Sequence, residues 1–213
     1  MSARYLKEEG YNFTYIHGIN SIIVFLNKLY GLGIKKDLCR NLIHRACNFE
    51  VRYKLSLHNP SEIQFPVGVY QSLQAVAGRV PVINLNAGEL MIGYVLSLSG
   101  DTIEDTALQC IGQKTVSGSN FGIDHMYTEI KDRGILSGCS GLALLYKKLY
   151  ELKKDPDYQE RYMRLLFHEA ADLSFKEDDK PDYSFMSGFT GIGSCMLNQI
   201  SENTRLNVET LLL

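Results

Sequence analysis

The chain has 213 residues, 45% of them hydrophobic and 22% charged, with a formal net charge of −2. That balance belongs to an ordinary globular protein of one or two domains and provides neither the basic surface of a nucleic-acid binder nor an acidic tail. Five cysteines, Cys39, Cys47, Cys110, Cys139 and Cys195, are odd in number and contain no C-x-x-C pair, which argues against a disulfide framework or a sequential zinc knuckle and for a reducing, cytoplasmic setting.

Near the start, Lys7-Glu8-Glu9-Gly10 does not read as a signal peptide, and the apolar run Ile22 to Leu26 is too short for a transmembrane segment. After the polar Asn20-Ser21, the residues Ile22, Phe25, Leu26 and Leu29 recur at helical spacing, and Gly31-Leu32-Gly33 ends that helix. A partner helix begins near Asp37, with Leu38, Leu42, Ala46, Phe49 and Tyr53 expected inward and Arg40, Glu50 and Lys54 expected in water. These two helices form a first hairpin.

From Leu57 to Pro81 no period holds, so a long irregular loop is expected, with a short extended piece at Val80 to Leu85. A second hairpin runs from Glu89 to Ser99, turns at Gly100 and restarts at Asp101-Thr102-Ile103-Glu104, where Asp101 and Glu104 make a capping box. Asn120 to Gly134 reads as another loop. The third hairpin carries Leu142, Leu145, Leu149 and Leu152 on one stripe and stops at Asp155-Pro156. Its return helix turns Tyr158, Tyr162, Leu165, Leu166 and Leu173 inward, and Arg161, Arg164 and Glu169 outward. A last helix spans roughly Gly191 to Gln199, and the terminal Leu211-Leu212-Leu213 is expected to pack on the array.

A repeat unites these pieces. His17-Gly18-Ile19-Asn20-Ser21, Asn86-Ala87-Gly88-Glu89-Leu90, Leu136-Ser137-Gly138-Cys139-Ser140-Gly141 and Met186-Ser187-Gly188-Phe189-Thr190-Gly191 each set a glycine after a polar or small residue and before an apolar helix. Recurrence of this kind marks a stacked array of hairpins. The first helix of each hairpin is the more apolar, as in two concentric rings, and the glycines then sit at inner-helix N-termini on one functional rim.

The order of these motifs resembles the lanthionine synthetase C-like (LanC-like) family, over most of the chain from about Tyr11, but only the C-terminal half of a full family member. The resemblance implies an all-α fold, an α/α toroid reduced to a partial ring of about four hairpins, in a single domain over residues 1–213. It also implies thioether ring formation in dehydrated peptides, where a zinc ion lowers a cysteine's pKa and the thiolate adds to a dehydrated serine or threonine. The family's zinc ligands, two cysteines and a histidine, fall here on Asn86, Leu136 and Ser137. Leucine has no donor atom, and neutral amide and hydroxyl oxygens suit Zn²⁺ poorly, so no metal ligand and no cofactor are expected. His17, before Gly18, falls on the family's His-Gly motif and is the candidate catalytic acid or base. At a helix N-terminus the dipole favours the neutral imidazole; the plainer role is a helix cap or a carbonyl partner.

Other candidates are weaker. Asp124-His125, placed in a loop, could join Cys139 in an unrelated metal site. Arg79 lies before the second motif in a different register from the family's arginine. His44, His58 and His168 read as solvated, and Cys39, Cys47, Cys110 and Cys195 as small packing residues. The functions carried forward are a zinc-free relative, impaired as a catalyst, that binds a peptide or partner protein, and a peptide-modifying cyclase accessory using His17. A carbohydrate-active α/α barrel is a third, for which Glu89 with Glu129 would be the carboxylate pair. The first helix, apolar nearly all round, makes a poor end cap for an array, so self-association or a partner is expected through the first hairpin.

Overall fold

The computed structural model describes residues 10–54, 65–66, 68–70, 75–76, 84–126, 133–171 and 182–200. Two compact units divide the chain, Met1–Asp124 and His125–Leu213. The first contains β1 (Gly10–Asn12), α1 (Ile19–Gly31), α2 (Lys36–Arg52), β2 (Gly68–Tyr70), β3 (Ala75–Val76), α3 (Glu89–Ile103) and nearly all of α4 (Thr106–Met126); the second contains α5 (Cys139–Lys153), α6 (Pro156–Ala171) and α7 (Phe189–Ile200). The three short strands form an antiparallel sheet in the order β1-β2-β3, with Tyr11 opposite Val69 and Val69 opposite Ala75. All three were missed in the sequence, and two of them lie in the stretch read as irregular. Among the described residues no helix is long and apolar enough to cross a membrane.

The corners between α3 and α4 and between α5 and α6 share one construction. Glu104 and Lys154 adopt the left-handed conformation at φ 60° and 57° and close α3 and α5. The next residue is an aspartate that caps the following helix: Asp105 Oδ1 accepts from the N–H groups of Ala107 and Leu108 at 3.0 and 3.1 Å, and Asp155 Oδ1 from that of Asp157 at 3.0 Å. A side-chain acceptor there satisfies amides that the first helical turn leaves open. Pro156 stands at the first helical position of α6, where its missing N–H costs nothing. The second hairpin therefore does not turn at Gly100, and Asp101 with Glu104 makes no capping box. Gly100 is buried inside α3, where a β-carbon would lie 2.5 Å from the Gln109 nitrogen. Gly112 of α4 has the same relation to the Ser97 nitrogen at 2.5 Å. These glycines let α3 and α4 approach backbone to backbone, and α4 continues to Met126 through part of the expected loop.

Helix phase in the first hairpin also differs from expectation. The buried face of α1 is Asn20, Ile23, Val24 and Asn27, whereas Ile22 and Phe25 are 56% and 59% exposed. On α2 the buried residues are Cys39, Ile43, Cys47 and Glu50, while Leu38 is 57% exposed. Phe49 and Tyr53 do pack, but against Tyr11 and Phe13 beside the sheet, with Phe49 ring centroids 4.8 and 6.0 Å from those of Tyr11 and Phe13. A polar residue at each of several inward positions rotated the apparent stripe. In the later hairpins the expectation holds better: Leu90 to Ser97 of α3 and Cys139 to Tyr146 of α5 are buried, as are Leu149, Tyr158 and Leu165. Leu173 and the terminal leucines lie outside the described residues.

Glu50 is fully buried, and neither carboxyl oxygen has a hydrogen-bond partner among the described residues. Burial alone pushes its pKa from 4.5 to about 8, so it is a neutral acid at neutral pH, the form that a dry site tolerates. The unfolded chain releases this proton near pH 4.5 and the folded chain near pH 8. Stability from this group is thus complete below the lower value and is lost as pH rises between the two, by about 1.4 kcal/mol per pH unit. Denaturant titrations from pH 4 to 9 should show that slope in the wild type and not in Glu50→Gln; equal slopes would contradict this account of the site.

Candidate functional site

The four glycines begin helices as expected: Gly18, Gly88 and Gly138 are the N-caps of α1, α3 and α5, and Gly188 directly precedes α7. In the first, third and fourth copies the side chain two residues after the glycine reaches back to the carbonyl five residues before it. Asn20 Nδ2 donates to Phe13 O, Ser140 Oγ to Arg133 O at 2.6 Å, and Thr190 Oγ1 to Tyr183 O at 2.7 Å. Six residues before the glycine, Asn12 and Asp182 accept from Thr14 N–H and Ser184 N–H, each at 2.8 Å, in local turns. This folds the main chain over the glycine so closely that a β-carbon at Gly18 would collide with the carbonyls of Asn12 and Thr14, and one at Gly188 with that of Asp182.

The second copy is built otherwise. Leu90 cannot make the reach-back bond, Gly88 has φ 113°, and Asn84 closes the turn by accepting from Ala87 N–H at 2.8 Å. A residue with a β-carbon is strained at that φ. The clasp has a sequence signature in the first, third and fourth copies, a polar residue two after the glycine (Asn20, Ser140, Thr190) and an Asn or Asp six before it (Asn12, Asp132, Asp182).

Turns pair side by side within each unit. Tyr15 N–H donates to Asn86 O at 2.6 Å and Ile16 N–H to Asn86 Oδ1 at 2.9 Å in the first; Leu136 N–H donates to Met186 O at 3.0 Å in the second. The glycine ends of α1 and α3 are therefore neighbours, as are those of α5 and α7. His17 stands exposed on the first turn and forms no hydrogen bond or ion pair among the described residues. Burial pushes the pKa of its neighbour Tyr15 up to about 12, which keeps the phenol neutral. Beside the second turn, Glu89 Oε1 accepts from Phe65 N–H at 3.3 Å.

The family's zinc ligands fall by resemblance on Asn86, Leu136 and Ser137, where no metal ligand is expected. Asn86 has both oxygens engaged by the first turn, Leu136 is half-buried, and Ser137 is exposed, the last two in the second unit. An engaged amide, an aliphatic chain and a hydroxyl do not fit the donor chemistry of Zn²⁺. Asp124 and His125 lie in the last turn of α4 and not in a loop, with side chains outside the described residues, and Cys139 is buried at the start of α5. Among the described residues no group of three His, Cys, Asp or Glu side chains could hold a metal ion. Arg79, His58, Glu129 and the His168 side chain also fall outside those residues. Cys39, Cys47 and Cys195 are buried as expected, but Cys110 is exposed and is no packing residue.

One feature at the far end of the first hairpin gave no sequence signal. A cleft of about 630 Å³ is lined by Asp37, Arg40, His44, Glu104, Asp105 and Thr106. Arg40 Nη2 donates to Ile103 O at 2.6 Å, and His44 Nε2 lies 3.6 Å from Asp105 Oδ2. The histidine is about half exposed, as expected of an outer helix.

Comparison with protein-family models gives no match, and comparison with curated proteins gives none. Among solved structures, a chain described as nisin cyclase superposes with a TM-score of 0.74 at 12% identity, covering 95% of this chain and 50% of that one. This chain therefore spans half the length of its structural neighbour. At that identity the likeness is one of fold, and the all-α, α/α-toroid class that the resemblance implies is borne out.

The clasp makes its own prediction. Ser140 is fully buried, so Ser140→Ala, which removes the 2.6 Å donor to the Arg133 carbonyl and keeps the Ser140 N–H at 3.4 Å, should cost about 1–3 kcal/mol. Thr190→Ala, at an exposed clasp, should cost under about 1 kcal/mol. Urea denaturation ranks the two, and equal losses would show that the buried clasp carries no special weight.

Proposed function

We propose that this chain is a LanC-like protein that binds a dehydrated peptide or a partner protein and does not use zinc. The fold likeness to nisin cyclase supports the family role at a coarse level. The observation that carries the zinc-free reading is Asn86, which stands where the resemblance calls for a thiolate and spends its side-chain oxygen on Ile16. Without a Lewis acid a peptide thiol stays largely protonated at neutral pH, so thiol addition has no strong driving group here.

A second reading keeps some chemistry. His17 is exposed at a helix N-terminus, within reach of a bound peptide, and could still move a proton to or from the carbon next to the forming thioether. The carbohydrate reading has less support, because one carboxyl oxygen of Glu89 already holds the Phe65 amide.

Thioether formation leaves the peptide's mass unchanged but consumes a thiol, so alkylation of free thiols followed by mass spectrometry reads it directly. A dehydrated, cysteine-bearing peptide should bind the chain while its thiols disappear no faster than in buffer. Loss of thiols well above that background, abolished in His17→Ala, would replace the first reading with the second.

The partner surface in this reading is the first hairpin. Ile22, Phe25, Leu32, Ile34, Leu38 and Leu42 are all exposed on it, a concentration of apolar side chains larger than an isolated surface carries without purpose. Sedimentation at tens of micromolar should show self-association that Phe25→Glu weakens. A stable wild-type monomer that binds no hydrophobic dye would remove this surface from the account.

A further inference from the structure

The first and second turns are joined by a side-chain bond from Asn86, whose position in the fourth turn is taken by Met186. In the second unit the link is main chain to main chain, Leu136 N–H to Met186 O at 3.0 Å. In the first unit the residue equivalent to Met186 is Asn86, and it supplies two acceptors: its carbonyl takes Tyr15 N–H at 2.6 Å and its Oδ1 takes Ile16 N–H at 2.9 Å. We propose that Asn86 is the positioning residue of His17, fixing through the two preceding peptide groups where the imidazole stands. Only the choice of His17 as the working group rests on the functional reading above; the clamp does not.

With planar peptide units, the chain between Ile16 and Gly18 has few soft dihedrals. Asn86 holds the entry side of His17. The exit side is held by Gly18, whose α-carbon lies under the carbonyls of Asn12 and Thr14, and by Asn20, which donates to Phe13 O. His17 is thus an exposed side chain on a backbone gripped at both ends. The equivalent residue of the third turn, Ser137, has no side-chain acceptor clamping the residue before it: the Leu136 amide goes to a backbone carbonyl. The extra grip falls on the turn that carries an ionisable side chain. An amide oxygen suits the task because it accepts strongly and keeps no charge near the imidazole.

Nuclear magnetic resonance of the full chain tests this with Asn86→Ala, Asn86→Asp and Asn84→Ala. In Asn86→Ala the Ile16 amide should exchange about tenfold faster while Tyr15, bonded to the main-chain carbonyl, stays protected, and the His17 ring resonances should move. Asn84→Ala removes a cap from the same turn without touching the first turn, so it should destabilise the chain and leave the His17 resonances in place. In Asn86→Asp the Ile16 amide proton should shift downfield through a charge-assisted bond and follow the titration of the new carboxylate. Unchanged Ile16 exchange in Asn86→Ala, or His17 resonances that move as far in Asn84→Ala, would overturn the proposal. If Asn86→Ala does not fold, an Ile16 amide that ignores the titration in Asn86→Asp overturns it alone. No readout involves peptide or turnover, so a failure of the functional reading leaves this test standing.

Discussion

A carbonyl oxygen laid against an α-carbon that has no side chain is the contact from which α1 and α7 start. At Gly18 and Gly188 the preceding main chain crosses the helix N-terminus too closely for any β-carbon. That crossing brings the carbonyls of Phe13 and Tyr183 within reach of Asn20 and Thr190, and the same reach is made by Ser140 to Arg133. At the buried clasp of Asn20 the side chain spares the Phe13 carbonyl from losing a partner, a loss that costs more than the bond itself contributes. Once the turns are shaped this way, their remaining amides point sideways, and neighbouring turns bond within each unit. The shape of the glycine turn therefore comes before the packing of the hairpins and before any chemistry at the rim.

The helical class and the four helix starts were legible because they rest on local rules. A glycine ahead of an apolar helical run reads the same in sequence and in structure at Gly18, Gly88, Gly138 and Gly188. Helix phase was not legible on α1 and α2, because tertiary packing there overrides the apolar stripe. Asn20, Asn27 and Glu50 are turned inward while Ile22, Phe25 and Leu38 face out. The Asn27 amide is spent on Ile23 O and Ser99 Oγ, both at 2.9 Å, partners that come from a turn back along α1 and from a different hairpin. No one-dimensional period reveals such a bond. The corner at Glu104-Asp105 was misplaced for a related reason: Gly100 looked like a turn but serves a close helix contact.

Of the candidate site, His17 and the emptied ligand positions could be named from sequence, whereas the clamp from Asn86 could not. Read alone, an asparagine ahead of a glycine turn carries no sign of a partner in another turn. In the fold it holds the first turn by two hydrogen bonds.

We propose that hydrogen-bonded glycine turns hold this fold without a metal ion. Elemental analysis of the purified chain, paired with thermal melts in zinc and in a strong chelator, addresses it most directly, since a ligand that binds only the folded state raises the melting temperature. The account predicts less than stoichiometric zinc and superimposable melts. One zinc per chain, with a melting temperature that falls in chelator and recovers on adding the metal, would contradict it.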